Sequence, residues 1–103
     1  MEQFDLQEQF ARDLRAACRE SAQICGYFPG EVLGRAANVG AVEAARRLLR
    51  DTSPGYYFRS LCGQRRLDLS VEAQVLRPEY QPLFTPEEVN TATERMRAID
   101  LPV

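Results

Sequence analysis

The sequence predicts an all-α fold: a compact single domain of about six short helices, with the longest at the N-terminus. Apolar residues recur at three- and four-residue spacing in most segments, which is the period of one helix face. Helix-start signals precede several of these segments, and no segment shows the alternating β-branched pattern of a strand. The length of 103 residues suits one domain over 1–103, with residues 1–4 and 100–103 expected to be loose ends.

The N-terminal segment predicts the longest helix, near residues 6–25. Asp5 and Glu8 form a D-x-x-E start signal, in which two side chains bind backbone amides that the first helical turn leaves free. Gly26 is a natural stop, and Pro29 suits the first turn of a second helix. The residues expected to be buried along this segment are Phe10, Leu14, Ala17, Cys18, Ser21, Ile24, Cys25 and Phe28.

Two further helices are predicted in the middle of the chain. Gly40 can adopt left-handed backbone angles and should separate the second helix from a third over 41–50. Ser53 is a candidate cap for a fourth helix at about 54–62, with Pro54 in its first turn. The third helix should bury Val42, Ala45, Leu48 and Leu49 and point four charged side chains outward: Glu43, Arg46, Arg47 and Arg50.

The C-terminal third contains the clearest local signals. Asp68 or Ser70 should cap a short helix over 71–76, and Thr85 with Glu88 forms a capping box that begins a last helix of 86–98. Prolines at 78 and 82 predict an irregular connector between these helices. The connector residues expected to cover the core are Tyr80, Leu83 and Phe84.

The chain contains no histidine, which excludes most familiar catalytic arrangements. Histidine general bases, Ser-His and Cys-His nucleophile pairs and imidazole-containing zinc sites are all ruled out. The three cysteines, Cys18, Cys25 and Cys62, form no C-x-x-C pair. We interpret Cys18 and Cys25 as small core hydrophobes. A reactive Cys62, activated by nearby arginines, is a minority interpretation. We therefore expect no enzyme activity, no metal site and no cofactor.

Charge is uneven along the chain, and this is the best indication of a binding site. Residues 1–33, 34–66 and 67–103 carry net charges of −3, +5 and −4. If the basic residues of the middle third converge, they could bind phosphates or a protein partner. The alternative is that they pair with the acidic first and last thirds, and the net charge of −2 opposes non-specific DNA binding. The candidate partner- or phosphate-binding residues are Arg46, Arg47, Arg50, Tyr56, Arg59 and Arg65.

Glu72 is the one carboxylate without a local explanation, because it lies between apolar positions of the VEA segment. A buried carboxylate needs a donor. We predict a structural ion pair between Glu72 and Arg66, with Arg77 as the other candidate donor.

Several segments together resemble a family of small bacterial helical proteins without an assigned activity. The resemblance covers about residues 25–98 and includes Gly40 with Ala44 to Leu49, Tyr57-Phe58, Arg66 to Ala73 and Leu83 to Glu88. This chain departs from the family pattern at two places. The pattern commonly has tryptophan near Leu61 or Cys62, and it commonly has leucine at the position of Gln74. The resemblance implies an all-helical fold and adds no catalytic residue.

Taken together, these features favour a non-enzymatic protein-interaction or regulatory module, for example an accessory subunit of a bacterial system. The expected partner is another protein or a second copy of the chain, with no membrane and no small-molecule substrate. The alternative is a DNA-binding regulator that uses a helix-turn-helix-like pair at about 41–63. The first residues lack the layout of a secretory signal, so a cytoplasmic location is expected.

Overall fold

A computed structural model of the protein describes residues 3–24, 26, 29–51 and 66–100. These residues form five α-helices: α1 (Gln3–Ile24), α2 (Gly30–Val39), α3 (Ala41–Arg50), α4 (Val71–Val75) and α5 (Pro86–Asp100). Two 3-10 segments, Leu67–Leu69 and Pro78–Leu83, lie on either side of α4. There is no strand in these ranges, so the all-α prediction is confirmed, as is the N-terminal position of the longest helix.

Helix α1 begins at Gln3, three residues before the predicted start, so Asp5 lies in its first turn and does not cap it. The helix therefore includes residues expected to be a loose end. Phe10, Leu14 and Cys18 are completely or almost completely buried, as their spacing predicted. The prediction of a buried Ile24 is wrong: it is 55% exposed. Cys25, Phe28 and Cys62 lie outside the described residues.

The sharp change of direction between α2 and α3 depends on Gly40. Its φ is +92° and its ψ is 151°, a combination that is accessible essentially only to glycine. The Gly40 amide donates to the Ala36 carbonyl, and its own carbonyl accepts from Ala44, so this one residue ends α2 and begins α3. The predicted bounds of α3, 41–50, are confirmed.

The core is centred on Phe10 of α1. Its ring makes edge contacts with Tyr80, at a centroid distance of 5.1 Å, and with Phe84, at 5.4 Å. Tyr80 and Leu83 of the second 3-10 segment are also fully or almost fully buried, so the predicted role of the proline-rich connector as a cover for the core is confirmed. The radius of gyration of 12.9 Å is close to the roughly 13 Å of a globular domain of this length.

The predicted caps of α4 and α5 are both present. The Ser70 hydroxyl accepts from the Ala73 amide at 3.0 Å. Thr85 and Glu88 exchange reciprocal hydrogen bonds: Glu88 N–H donates to Thr85 Oγ1 at 3.1 Å, and Thr85 N–H donates to Glu88 Oε1 at 2.9 Å. Helix α5 continues to Asp100, two residues beyond its predicted end, so residue 100 is not a loose end.

The predicted helix at 54–62 lies outside the described residues. None of the described helices has both the length and the apolar character to span a membrane.

Candidate interaction surface

The outer face of α3 carries two of the predicted binding residues, Arg47 and Arg50. Both contact the same carboxylate: Arg47 Nε donates to Glu43 Oε2 at 3.2 Å, and Arg50 Nη1 lies 3.6 Å from that oxygen. The opposite face of α3 is buried through Ala44 and Leu49. The side chains of Arg47 and Arg50 are 52% and 62% exposed, so this face presents a mixed cluster of two positive charges and one negative charge.

Arg46 is partly exposed, as predicted for the outer face, but unlike its neighbours its guanidinium contacts groups across the fold. Its Nη2 donates to the Leu83 carbonyl at 2.6 Å, and its Nε lies 3.6 Å from Glu88 Oε1. Only 34% of the side chain is exposed, because the end of the second 3-10 segment and the start of α5 pack beside this position of α3. Arg46 therefore joins α3 to both of those elements.

The other three predicted binding residues, Tyr56, Arg59 and Arg65, lie outside the described residues. The same is true of the second helix in the proposed 41–63 pair. Helix α3 is the part of that pair that the structure describes.

A buried ion pair links three parts of the fold. Glu72 is buried and has a cationic donor, but the prediction that Arg66 is its partner is wrong: Arg95 Nη1 of α5 donates to Glu72 Oε2 at 3.0 Å. The two side chains are 8% and 4% exposed. Arg95 also donates to the carbonyls of Leu48, at 3.1 Å, and Asp51, at 2.8 Å. A cation at the end of a helix is favoured by the helix dipole, so Arg95 caps α3 while Glu72 balances its charge.

Arg66 is unable to reach Glu72 because it is engaged at the surface. Its Nε donates to Asp68 at 3.0 Å, and its Nη2 donates to Glu20 of α1 at 2.8 Å. These hydrogen bonds raise the pKa of the Arg66 guanidinium, and the one to Asp68 lowers the pKa of that carboxyl. The other candidate donor, Arg77, is also engaged elsewhere, with Asp13 and Glu79.

A second polar cluster joins α1 to the second 3-10 segment. The Tyr80 hydroxyl donates to Asp13 Oδ2, which also accepts from Arg77 Nη1 at 2.9 Å. The pKa of the Tyr80 phenol is raised from 10.0 to about 12, mainly by burial and to a lesser extent by the hydrogen bond to Asp13. A phenol with a raised pKa is a poor base or nucleophile at neutral pH, and Tyr80 is 0% exposed. This cluster therefore holds two elements together and offers no reactive group to a substrate.

Two open clefts lie at the two ends of α3. The first, of about 300 Å³, lies between α1 and the α2–α3 turn and is lined by residues that include Val39, Glu43 and Arg46. The second, of about 410 Å³, lies between the end of α3 and the start of α5 and is lined by residues that include Arg50 and Glu87. No group of three potential metal ligands occurs within the described ranges. The two clefts lie on either side of the charged face of α3.

A feature missed in the sequence lies on the outer face of α1. Arg12, Arg15 and Arg19 are all exposed there, opposite the buried Phe10, Leu14 and Cys18. The first third of the chain is acidic overall, so a count of charges by segment obscured these arginines. A projection of the charged residues onto the predicted helix would have placed them on one face.

Comparisons of the chain with protein-family models, with curated proteins and with solved structures give no match.

Proposed function

We propose that this chain is a non-enzymatic protein-interaction or regulatory module of the cytoplasm that binds its partner through the outer face of α3. One observation carries the proposal: the arginines of α3 are held by groups of the same chain, Arg47 and Arg50 by Glu43 and Arg46 by Glu88 and the Leu83 carbonyl. Such a face is ordered and mixed in charge, whereas a phosphate-binding surface needs an excess of free positive charge.

The physical properties of this face suit a protein partner. Arginine is enriched at the centres of protein interfaces, where its planar guanidinium forms directed hydrogen bonds. Arg47 is already positioned by Glu43, so less side-chain entropy is lost when a partner binds. The clefts at the two ends of α3 offer places for partner side chains on either side of this charged centre.

DNA binding through α3 is the second candidate, and one observation favours it. Arg47 and Arg50 are more than half exposed and share a single carboxylate, which leaves one net positive charge on the face. A DNA-binding protein typically makes about six to ten phosphate contacts, each from a basic or polar group. One net positive charge on α3 is therefore far fewer than such a complex needs. The DNA-binding alternative therefore depends on further basic residues that lie outside the described ranges.

The test uses the double variant Arg47→Glu/Arg50→Glu and the control Arg35→Glu. Arg35 is a suitable control because it also lies on an exposed helix face and pairs with a glutamate four residues earlier, Glu31, at 3.3 Å. Tagged wild-type protein is used to capture partners from native lysate with and without nuclease, and the affinity of a stoichiometric protein partner is then measured by calorimetry. Circular dichroism checks that each variant remains folded.

We expect the double variant to bind at least about tenfold more weakly, since truncating or reversing central interface charges costs on the order of 2 kcal/mol or more. The control should bind like the wild-type protein. Two results contradict the proposal: a partner that binds the double variant as tightly as the wild type, or recovery of nucleic acid with affinity that falls steeply as salt rises.

A further inference from the structure

The outer face of α1 carries a straight stripe of five charged side chains. They recur at alternating spacings of three and four residues, which is the spacing of the two seam positions in a heptad repeat. All five are exposed, and the stripe lies opposite the face that packs into the core. In order along the helix the residues of this α1 stripe are Asp5, Glu8, Arg12, Arg15 and Arg19.

The charges of the α1 stripe are not balanced within the described part of the chain. Of the eleven arginines there, seven form ion pairs, namely Arg35, Arg46, Arg47, Arg50, Arg66, Arg77 and Arg95. The other four include all three arginines of the stripe, and Asp5 and Glu8 likewise form no ion pair with the described residues. The remaining acids of α1, Asp13 and Glu20, are engaged by Arg77 and Arg66.

The two signs of charge are separated along the stripe, and this separation points to a specific partner. The N-terminal half carries Asp5 and Glu8, and the C-terminal half carries Arg12, Arg15 and Arg19. A surface with opposite charges at its two ends is complementary to itself when a second copy is turned by 180°, which is the relation in a two-fold dimer. We propose that the chain forms a homodimer in which the α1 stripes of two copies pack antiparallel.

The spacing of the charges selects one register for this dimer. In an antiparallel helix pair, the first seam position of one helix packs against the second seam position of the other. With the two-fold axis beside Phe10, whose own side chain points away into the core, Asp5 faces Arg15 of the other copy and Glu8 faces Arg12. Each of these pairs forms twice, so four ion pairs of opposite charge result.

Shifting the register by one heptad removes this complementarity. In one direction Arg12 of each copy faces Arg15 of the other, which offsets the attraction between Glu8 and Arg19, and in the other direction Asp5 faces Glu8. Both arrangements bring like charges together, which opposes association. Because exposed ion pairs contribute only about 0.2–1 kcal/mol each and are screened by salt, four of them support a dimer that forms at about millimolar concentrations and dissociates as the ionic strength rises.

This dimer uses a different helix from the α3 interaction surface and shares with it only Glu8, which also lines the first cleft. The variants below leave Glu8 unchanged, and purified protein is sufficient to test the dimer. Sedimentation equilibrium of the full chain is measured over a range of concentrations at low and high salt. The variants are Arg15→Glu, Asp5→Arg and the charge swap that combines both, with Arg97→Glu as control, because Arg97 is another exposed arginine without an ion pair in the described residues. Circular dichroism establishes that each variant is folded.

The proposal predicts a monomer–dimer equilibrium that weakens at high salt. Each single variant should raise the dissociation constant at least about tenfold, because one reversal turns two symmetric attractions into repulsions. The charge swap should restore the wild-type value, and the control should leave it unchanged. A wild-type protein that stays monomeric up to about 1 mM in low salt, dimerisation that the single variants do not affect, or a charge swap that fails to restore association would each overturn it.

Discussion

Replacing Arg95 with methionine tests whether the buried ion pair holds the fold together. Methionine preserves much of the length and apolar stem of the arginine but removes all its donors. The change leaves the Glu72 carboxylate buried without its cation. It also removes the hydrogen bonds to the Leu48 and Asp51 carbonyls, which end α3.

The expected loss of stability is large for a domain of this size. Removing one partner of a buried ion pair costs about 3–5 kcal/mol, and the lost bonds from a charged donor to two carbonyls place the value near the upper end, about 4–5 kcal/mol. Domains of this length are stable by only about 5–15 kcal/mol. The melting temperature should therefore fall by at least about 15 °C.

The assay is chemical denaturation followed by circular dichroism, with thermal melts in parallel. Arg97→Met is the matched control, because Arg97 is an exposed arginine on the same helix, and it should stay within about 0.5 kcal/mol of the wild type. The double variant Glu72→Leu/Arg95→Met removes both charges, so it should be more stable than Arg95→Met alone by about 2 kcal/mol or more. The buried pair does not hold the fold together if Arg95→Met loses less than about 1 kcal/mol of stability. The same conclusion follows if the losses of the single variants Arg95→Met and Glu72→Leu simply add in the double variant.

Three further predictions concern local features of the fold. Ser70→Ala should lower the free energy of unfolding by about 1 kcal/mol in denaturant titrations, since it removes the cap on the Ala73 amide. Gly40→Ala should cost about 1–3 kcal/mol in the same assay, because a φ of +92° disfavours any side chain even though an added Cβ meets no atom within 4 Å; a neutral result would contradict the turn geometry. Tyr80 should ionise with a pKa of about 12 in an ultraviolet titration of the phenolate, and Tyr80→Phe should remove that step. Because this pKa lies above the ordinary 10.0, the stabilising contribution of the protonated phenol is complete below pH 10 and is lost as the pH rises through 12.

Local signals were reliable wherever a backbone group is satisfied by a neighbour in sequence. The capping box of Thr85 and Glu88 and the cap at Ser70 were predicted correctly because donor and acceptor are three residues apart. The bounds of α3 were also predicted, since Gly40 allows the turn before it. The start of α1 was placed too late because an acidic residue near a helix start is favoured both as a cap and within the first turn.

Local sequence signals did not predict the long-range contacts of the candidate binding residues. Arg46 and Arg47 are adjacent in sequence, yet one contacts Leu83 and Glu88 across the fold while the other contacts Glu43 on its own helix. Their helical positions alone do not distinguish these outcomes. The difference arises because the second 3-10 segment and α5 pack beside only one of the two positions.

The sequence by itself determined the fold class, the caps and the turn at Gly40, because each follows from the period of a helix or from contacts within a few residues. Only the tertiary structure decided which arginine pairs with Glu72, since Arg95 lies 23 residues further along the chain and reaches it through the packing of α5. Ion pairs between distant residues depend on which helix faces meet. That choice also determines which arginines, on α3 and on α1, have a partner within the chain and which are open to another molecule.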